Sequence, residues 1–416
     1  MKKKLILNAS EVVTCSGRSP KFGQEMMDLQ VIENGAVMIE NDTITYVGKQ
    51  EALLSQINLK EYELVDAGGH TVMPGFVDSH THFIFGGYRA EEFSWRLRGD
   101  NYMDIMKRGG GIVSSVKATR EATLETLIEA GNARLDEMIK LGVTTVEGKS
   151  GYGLDKDTEI RQLEAMAIIK KSRKDIDIAT TFLGPHAVEK HYKGKEDEFI
   201  DFQINEVLPI VAEKKLAEFA DIFCEDNVFS IEQSRRFLKA AQRLGLKAKL
   251  HADEIVQLGG AELAAELNAV SADHLLQASD TGIAQLAENG VIATLLPGTA
   301  FSLKEHYAPA RKMIDKGCAV ALATDLNPGS CFTHSVPLII ALAALYMDMR
   351  TEEIISALTI NGAAAIAREK EIGSLELGKK ADMIILDFPS YHFLPYHIGM
   401  NIVKTVIKSG AIVWEK

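Results

Sequence analysis

Two histidines, His80 and His82, stand two residues apart at the end of the run Pro74-Gly75-Phe76-Val77-Asp78-Ser79-His80-Thr81-His82. Side chains alternate between the two faces of a strand, so residues two apart point the same way. An apolar strand ending in His-x-His can therefore turn two neutral imidazoles toward one ion, and imidazole suits zinc or iron(II). Matching donors lie far along the chain: His251 closes the strand-like segment 247–250, and Asp325 follows the segment 319–323. Taken singly, His251 reads as a satisfied buried histidine and Asp325 as a helix cap. Together with His80 and His82 they make three imidazoles and one carboxylate, a donor set that leaves a position open for water. The chemistry of such a site is hydrolysis by a metal-activated water.

The elements that carry these residues repeat in a cycle. A helix with apolar Leu124, Leu127, Ile128, Leu135, Met138 and Ile139 leads into a strand at 143–147; a helix around 160–171 leads into 176–183. Ser230 and Gln233 form a capping box, Phe237, Leu238, Ala241 and Leu244 form an apolar stripe, and Gly245 ends that helix. Further strands are expected at 269–272, 291–296 and 318–323. Strand ends are repeatedly ionisable: His80 and His82, Glu147, His186, His251, His274, Asp325. In a (β/α)8 barrel these ends converge on one face, whereas an open sheet would spread them along an edge. The sequence therefore predicts an α/β fold, a (β/α)8 TIM-like barrel over residues 67–369. The two ends of the chain have short alternating runs and turn residues instead, which predicts a small β-sandwich domain built from 1–66 plus 370–416.

Composition agrees with a globular enzyme and excludes other classes. The 416 residues carry a formal charge of −12, the wrong sign for nucleic acid or an anionic membrane surface. No stretch reaches the ~18 apolar residues of a membrane span, and the best candidate, 336–347, reads as a buried helix. The apolar stretch 5–7 is too short for a secretory leader. Cys15, Cys224, Cys318 and Cys331 are scattered, as expected of thiols in a reducing compartment, so the expected location is cytoplasmic. Gly109-Gly110-Gly111 lacks the spacing and lysine of a phosphate loop and reads as flexible backbone at the barrel mouth.

The segments 77–83, Glu147-Gly148-Lys149-Ser150-Gly151-Tyr152-Gly153-Leu154 and His251-Ala252-Asp253-Glu254 resemble the amidohydrolase superfamily. The second of them, with Phe85-Gly86-Gly87-Tyr88-Arg89 and Gly109-Gly110-Gly111-Ile112, is similar to the imidazolonepropionase family within it. That resemblance covers essentially the whole chain. It implies the addition of water to 4-imidazolone-5-propanoate, giving N-formimidoyl-L-glutamate, in histidine degradation, with one Zn(2+) or Fe(2+/3+) ion per chain and a small-molecule substrate as partner. Binuclear superfamily members use a carboxylated lysine, typically on the fourth barrel strand. Counting 176–183 as that strand leaves no lysine there, so one metal is expected, with Lys149 as a salt-bridge residue.

The resemblance also distributes roles. Arg89 would hold the propanoate, since its planar fork matches a carboxylate, and Tyr152 and His186 would contact substrate. Asp325 would accept the water's proton, and His274 would stabilise the developing oxyanion. Glu254 would contact the ring or move a proton to the leaving nitrogen; both Asp325 and Glu254 remain candidates for the principal base. Asn327, Gly329 and Ser330 lie on a loop that contacts substrate in the family, with Ser330 where threonine is usual; the same residues also read as a Pro–Gly turn. A rival reading is another mononuclear amidohydrolase, a cytosine- or guanine-type deaminase, which would have no use for the Arg89 clamp. A symmetric homodimer is the expected assembly.

Overall fold

The strand that runs into His80 is one of eight that pair in parallel around a ring. In the computed structural model, which describes residues 3–100, 108 and 110–416, they are Phe76–Asp78, Val143–Lys149, Asp177–Phe182, Phe219–Ala220 with its continuation Phe223–Cys224, Lys247–Ala252, Ser271–His274, Ile292–Leu295 and Val320–Leu322. Each pairs in parallel with the next. The ring closes beside the predicted metal residues. Asp325 donates its N–H to the His80 carbonyl at 3.0 Å, and His82 donates to the Leu326 carbonyl at 2.8 Å. Asp78 reinforces this seam by accepting the Thr324 N–H and hydroxyl at 2.9 and 2.6 Å.

The helices lie where polar caps and apolar periodicity place them. Leu124–Lys140 starts at Thr123, Lys156–Ser172 at Asp155, and Asp280–Asn289 at Ser279, each cap accepting a first-turn N–H. Ile231–Arg243 carries the predicted capping box of Ser230 and Gln233. The apolar helix Val336–Tyr346 buries Val336, Ile339 and Ile340. No helix among the described residues is long and apolar enough to cross a membrane.

The strand count needs one correction. The segment read as the fourth strand, Asp177–Phe182, is the third; the fourth is Phe219–Ala220 with Phe223–Cys224. Two short pieces interrupted at Asp221 offer no apolar run long enough to stand out from a loop. The fourth strand also contains no lysine, and Lys149 ends the second strand.

The terminal segments form two sheets. One runs Thr43–Lys49, Gly35–Glu40, Lys3–Leu7, Glu63–Asp66; the other runs Ala411–Glu415, Val403–Lys408, Met383–Leu386, Thr71–Pro74, Glu11–Val13, Val31–Glu33. Ile6, Val12, Val37, Ile44, Val72, Met383 and Ile407 pack into one apolar cluster from both sheets. Thr71–Pro74, which lies on the barrel side of the sequence division at 66, belongs to the second sheet. The chain then passes through Gly75 directly into the first barrel strand. A Cβ on Gly75 would meet Thr144 Oγ1 at 2.5 Å, so only glycine lets the two strands join so closely.

Candidate active site

His80, His82 and Asp325 meet at the barrel seam. Asp325 Oδ1 lies 3.5 Å from His80 Nε2 and 3.7 Å from His82 Nε2. The ring of His251, from the fifth strand, is centred 4.6 Å from that of His80 and 5.7 Å from that of His82. Three overlapping triads each bring their donor atoms within 4.8 Å of one another: His80, His82, Asp325; His82, His186, His251; and His80, His251, His274.

The donors fit a divalent cation. Among the described residues, His80 Nε2 and both ring nitrogens of His251 are buried without a hydrogen-bond partner. Buried polar atoms are otherwise almost always paired. Burial, reinforced by neighbouring histidines and Lys149, holds His80, His82 and His251 well below the usual imidazole range, so they stand as neutral ligands. Burial pushes the Asp325 carboxyl up to about 7, opposed by bonds from Thr299 and Asn327. The ion would be held by His80, His82, His251 and Asp325.

A fully buried charge network lies beneath. His80 Nδ1 contacts Asp273 Oδ2 at 2.7 Å, which turns its Nε2 toward the cluster. His251 Nδ1 sits 3.0 Å from Asp221 Oδ2, a close contact of a neutral ring without hydrogen-bond alignment. Lys149 Nζ reaches Asp221 at 2.7 Å, Glu147 at 3.2 Å and Asp273 at 3.4 Å. Lys249 Nζ reaches Glu147 at 2.8 Å. Burial would lower the Lys149 ammonium, but Asp221, Glu147 and Asp273 hold it above the usual lysine range. The triad His80, Glu147, Asp273 also has donor spacing, yet two ammonium groups already serve its carboxylates.

Above the cluster opens a cavity of about 340 Å³ lined by His82, Arg89, Tyr152, His186, His251, Glu254, His274, Asp325, Asn327 and Ser330, with apolar Ile112, Phe223, Val228 and Ile255. Arg89 is seated by its Nε bond to Ser115 Oγ at 2.9 Å and interacts with the Tyr152 hydroxyl. The loop before it is tied down by Arg134, which donates to the Phe83 carbonyl at 2.7 Å, and by Gln162, which donates to the Ile84 carbonyl at 2.7 Å. The Tyr152 loop is gathered by buried Glu159, which accepts the N–H groups of Gly151, Gly153 and Leu154 at 3.0, 2.8 and 2.8 Å. His186 Nδ1 lies 3.0 Å from the Gly151 carbonyl, and burial brings its imidazole down to about 4. Burial does the same for His274, against the pull of Asp273 and Asp221. Burial, with Asp325 and Glu225 nearby, raises the Glu254 carboxyl to about 8; its Oε2 lies 3.6 Å from His274 Nδ1.

The family model of the amidohydrolases matches residues 71–413. A Clostridium tetani protein named imidazolonepropionase is 62% identical over 99% of this chain and 98% of its own length. A Parabacteroides distasonis protein of the same name is 60% identical over 99% and 98%. This chain belongs to the imidazolonepropionase branch of the amidohydrolase family. In fold, this amidohydrolase is similar to a solved adenosine deaminase from Xanthomonas campestris with bound zinc. The TM-score is 0.71 at 19% identity, covering 99% of this chain and 92% of that one.

The residues on the loop after the eighth strand of this amidohydrolase differ in what they face. Asn327 borders it, but its side chain is occupied by its own loop: Nδ2 donates to the Asp325 carbonyl at 2.8 Å, and Oδ1 accepts from Gly329 and Ser330 at 2.9 and 2.8 Å. Gly329 lies against the Arg89 guanidinium and borders a neighbouring cavity lined by Arg89, Phe93 and Arg96. Of the Gly109-Gly110-Gly111 run, Gly109 lies outside the described residues; Gly111 donates its N–H to Glu92 at 2.8 Å and borders the cavity. Sequence reasoning missed Asp221, Asp273, Lys249 and Asp253. Lys249 stands two residues before His251, so alternation alone could have placed it inside the barrel; Asp273 precedes His274 by one, where alternation predicts the opposite face, and only the closed barrel reveals it.

Proposed function

We infer that this protein hydrolyses 4-imidazolone-5-propanoate to N-formimidoyl-L-glutamate, a step of histidine degradation. The observation that carries the reading is a guanidinium, Arg89, lining the same small cavity as His82, His251 and Asp325. A carboxylate clamp beside a hydrolytic centre suits an acid-bearing ring, and the full-length similarity to proteins named imidazolonepropionase supports it. A deaminase of neutral bases would leave that cation unpaired.

Arg89, with the Tyr152 hydroxyl beside it, holds the propanoate and so orients the ring amide toward the histidines. His80, His82, His251 and Asp325 would hold a divalent ion, which would supply Lewis acidity toward the water and the ring carbonyl. Asp325 accepts the water's proton as the water oxygen bonds to the carbonyl carbon. Neutral His274 donates to the oxyanion that develops there. Glu254, protonated at neutral pH by its raised pKa, delivers a proton to the leaving ring nitrogen as the C–N bond breaks. The former amide carbon becomes the new carboxylate. The apolar wall of Phe223, Val228 and Ile255 suits the flat ring.

The donor set accepts zinc and iron alike. The chain is expected to act as a homodimer in the cytoplasm, where its four free, buried cysteines stay reduced. The decisive experiment follows loss of freshly generated imidazolone propanoate and ammonia release from purines and pyrimidines in parallel, with elemental analysis of the same sample. Ring opening with one zinc or iron per chain is the expected result. Ammonia release without ring opening would overturn it.

A further inference from the structure

His251 and His80 are joined through shared oxygens. Asp221 Oδ2 lies 3.0 Å from His251 Nδ1 and 2.7 Å from Lys149 Nζ. Asp273 Oδ2 lies 2.7 Å from His80 Nδ1 and 3.4 Å from the same Nζ. The contacts run His251, Asp221, Lys149, Asp273, His80 and so link the fifth, fourth, second, sixth and first strands, with every member buried.

We propose that Lys149 is a positioning residue of the metal centre: its ammonium grips Asp221 and Asp273 at once and thereby fixes the rings of His251 and His80. This rests on the reading that the histidine–aspartate cluster holds a divalent ion. An ammonium has three donors, and Lys149 faces three carboxylates, Glu147, Asp221 and Asp273. Each carboxylate that leans on a histidine does so with the very oxygen Lys149 holds, so neither can swing without breaking that contact. Lys249 Nζ lies 3.8 Å from the same Asp273 oxygen, beyond hydrogen-bond reach, and donates instead to Glu147 at 2.8 Å, the Ala365 carbonyl at 3.1 Å and the Ser79 carbonyl at 3.2 Å. Carboxylates that orient metal-bound histidines tune affinity through geometry, and here one cation sets two of them.

The two lysines and three carboxylates leave one net negative charge, so a simple charge-balancing role must be separated from positioning. Lys149→Met alone unbalances the cluster and can prevent folding. Lys149→Met/Glu147→Gln removes one charge of each sign and leaves Lys249 donating to the Ser79 and Ala365 carbonyls. Wild type and both variants are loaded with cobalt(II), their visible spectra and melting temperatures recorded, and cobalt release to a chelator timed. In the double variant we expect melting near wild type, a changed cobalt spectrum and metal release about 10- to 100-fold faster. Wild-type release and spectrum in the double variant would show that Lys149 only balances charge and would overturn the proposal. A wild-type chain that takes up no cobalt would instead overturn the metal reading, and this one with it.

Discussion

The guanidinium of Arg89 lies against the backbone of Gly329, so closely that a Cβ on that glycine would meet Nη2 at 2.2 Å. The loop after the eighth strand thus forms one wall of the seat for a cation carried by the loop after the first. Ser115 forms another.

Gly329→Ala should therefore displace Arg89 without touching a metal donor. Charge-assisted bonds to a carboxylate contribute about 1.5–3 kcal/mol each, so KM for imidazolone propanoate should rise roughly 10- to 100-fold while metal content holds. Arg89→Met should have at least the same effect. Steady-state kinetics with elemental analysis check both; an unchanged KM in Arg89→Met would remove Arg89 from substrate binding.

Glu254→Gln preserves shape and a donor group but cannot give up a proton. If Glu254 delivers the proton to the leaving nitrogen, kcat should fall by about 100-fold or more. Metal content should be unaffected, because the carboxyl faces His274 rather than the donor cluster. Normal turnover by this variant would assign proton transfer to Asp325 alone.

How much of this was legible beforehand follows from where each residue's signal resides. His80, His82, His251 and Asp325 stand at strand ends, so local pattern and alternation placed them together. Strand ends also point to His186 and His274, whereas Arg89, Tyr152 and Glu254 are legible through the family resemblance of their segments. Asp221 escaped because its strand is two short fragments broken by that polar residue. The link between Lys149 and Asp273 joins positions 124 residues apart, and only the closed barrel makes them neighbours. For Asn327 the local turn chemistry already accounted for its side chain, and the structure shows that account consuming its polar atoms.

Asp253 is a buried carboxylate that organises the segment behind Glu254. Its Oδ1 accepts the N–H groups of Leu258, Gly259 and Gly260 at 2.9, 2.9 and 3.0 Å, and Oδ2 accepts that of Ala261 at 2.9 Å. Asp253→Ala strands these donors and should cost about 3 kcal/mol. Asp253→Asn, which keeps one acceptor oxygen and tolerates the residue's positive φ of 50°, should cost less. Urea unfolding gives both values, and equal losses would mean the carboxylate's second oxygen contributes nothing.

Asp177, at the start of the third barrel strand, ties the barrel to the terminal sheet through Lys408 at 2.8 Å and Lys380 at 3.2 Å. Burial alone would raise its carboxyl, but the two ammonium groups hold it down from 3.8 to about 2. The folded form therefore binds this proton less readily than the unfolded chain. Its contribution is full above the unfolded value and is lost as pH falls from about 4 through about 2. Because the carboxylate is about one-third exposed, solvent screening limits that contribution to roughly 1–2 kcal/mol. Asp177→Asn should be less stable than wild type by this amount at pH 7, with the gap closing toward pH 2 while Lys408 keeps Asp382 at 2.6 Å. Urea unfolding of both proteins at stepped pH measures the gap, and one that stays constant from pH 7 to pH 2.5 would show that the ion pair contributes no pH-dependent stability.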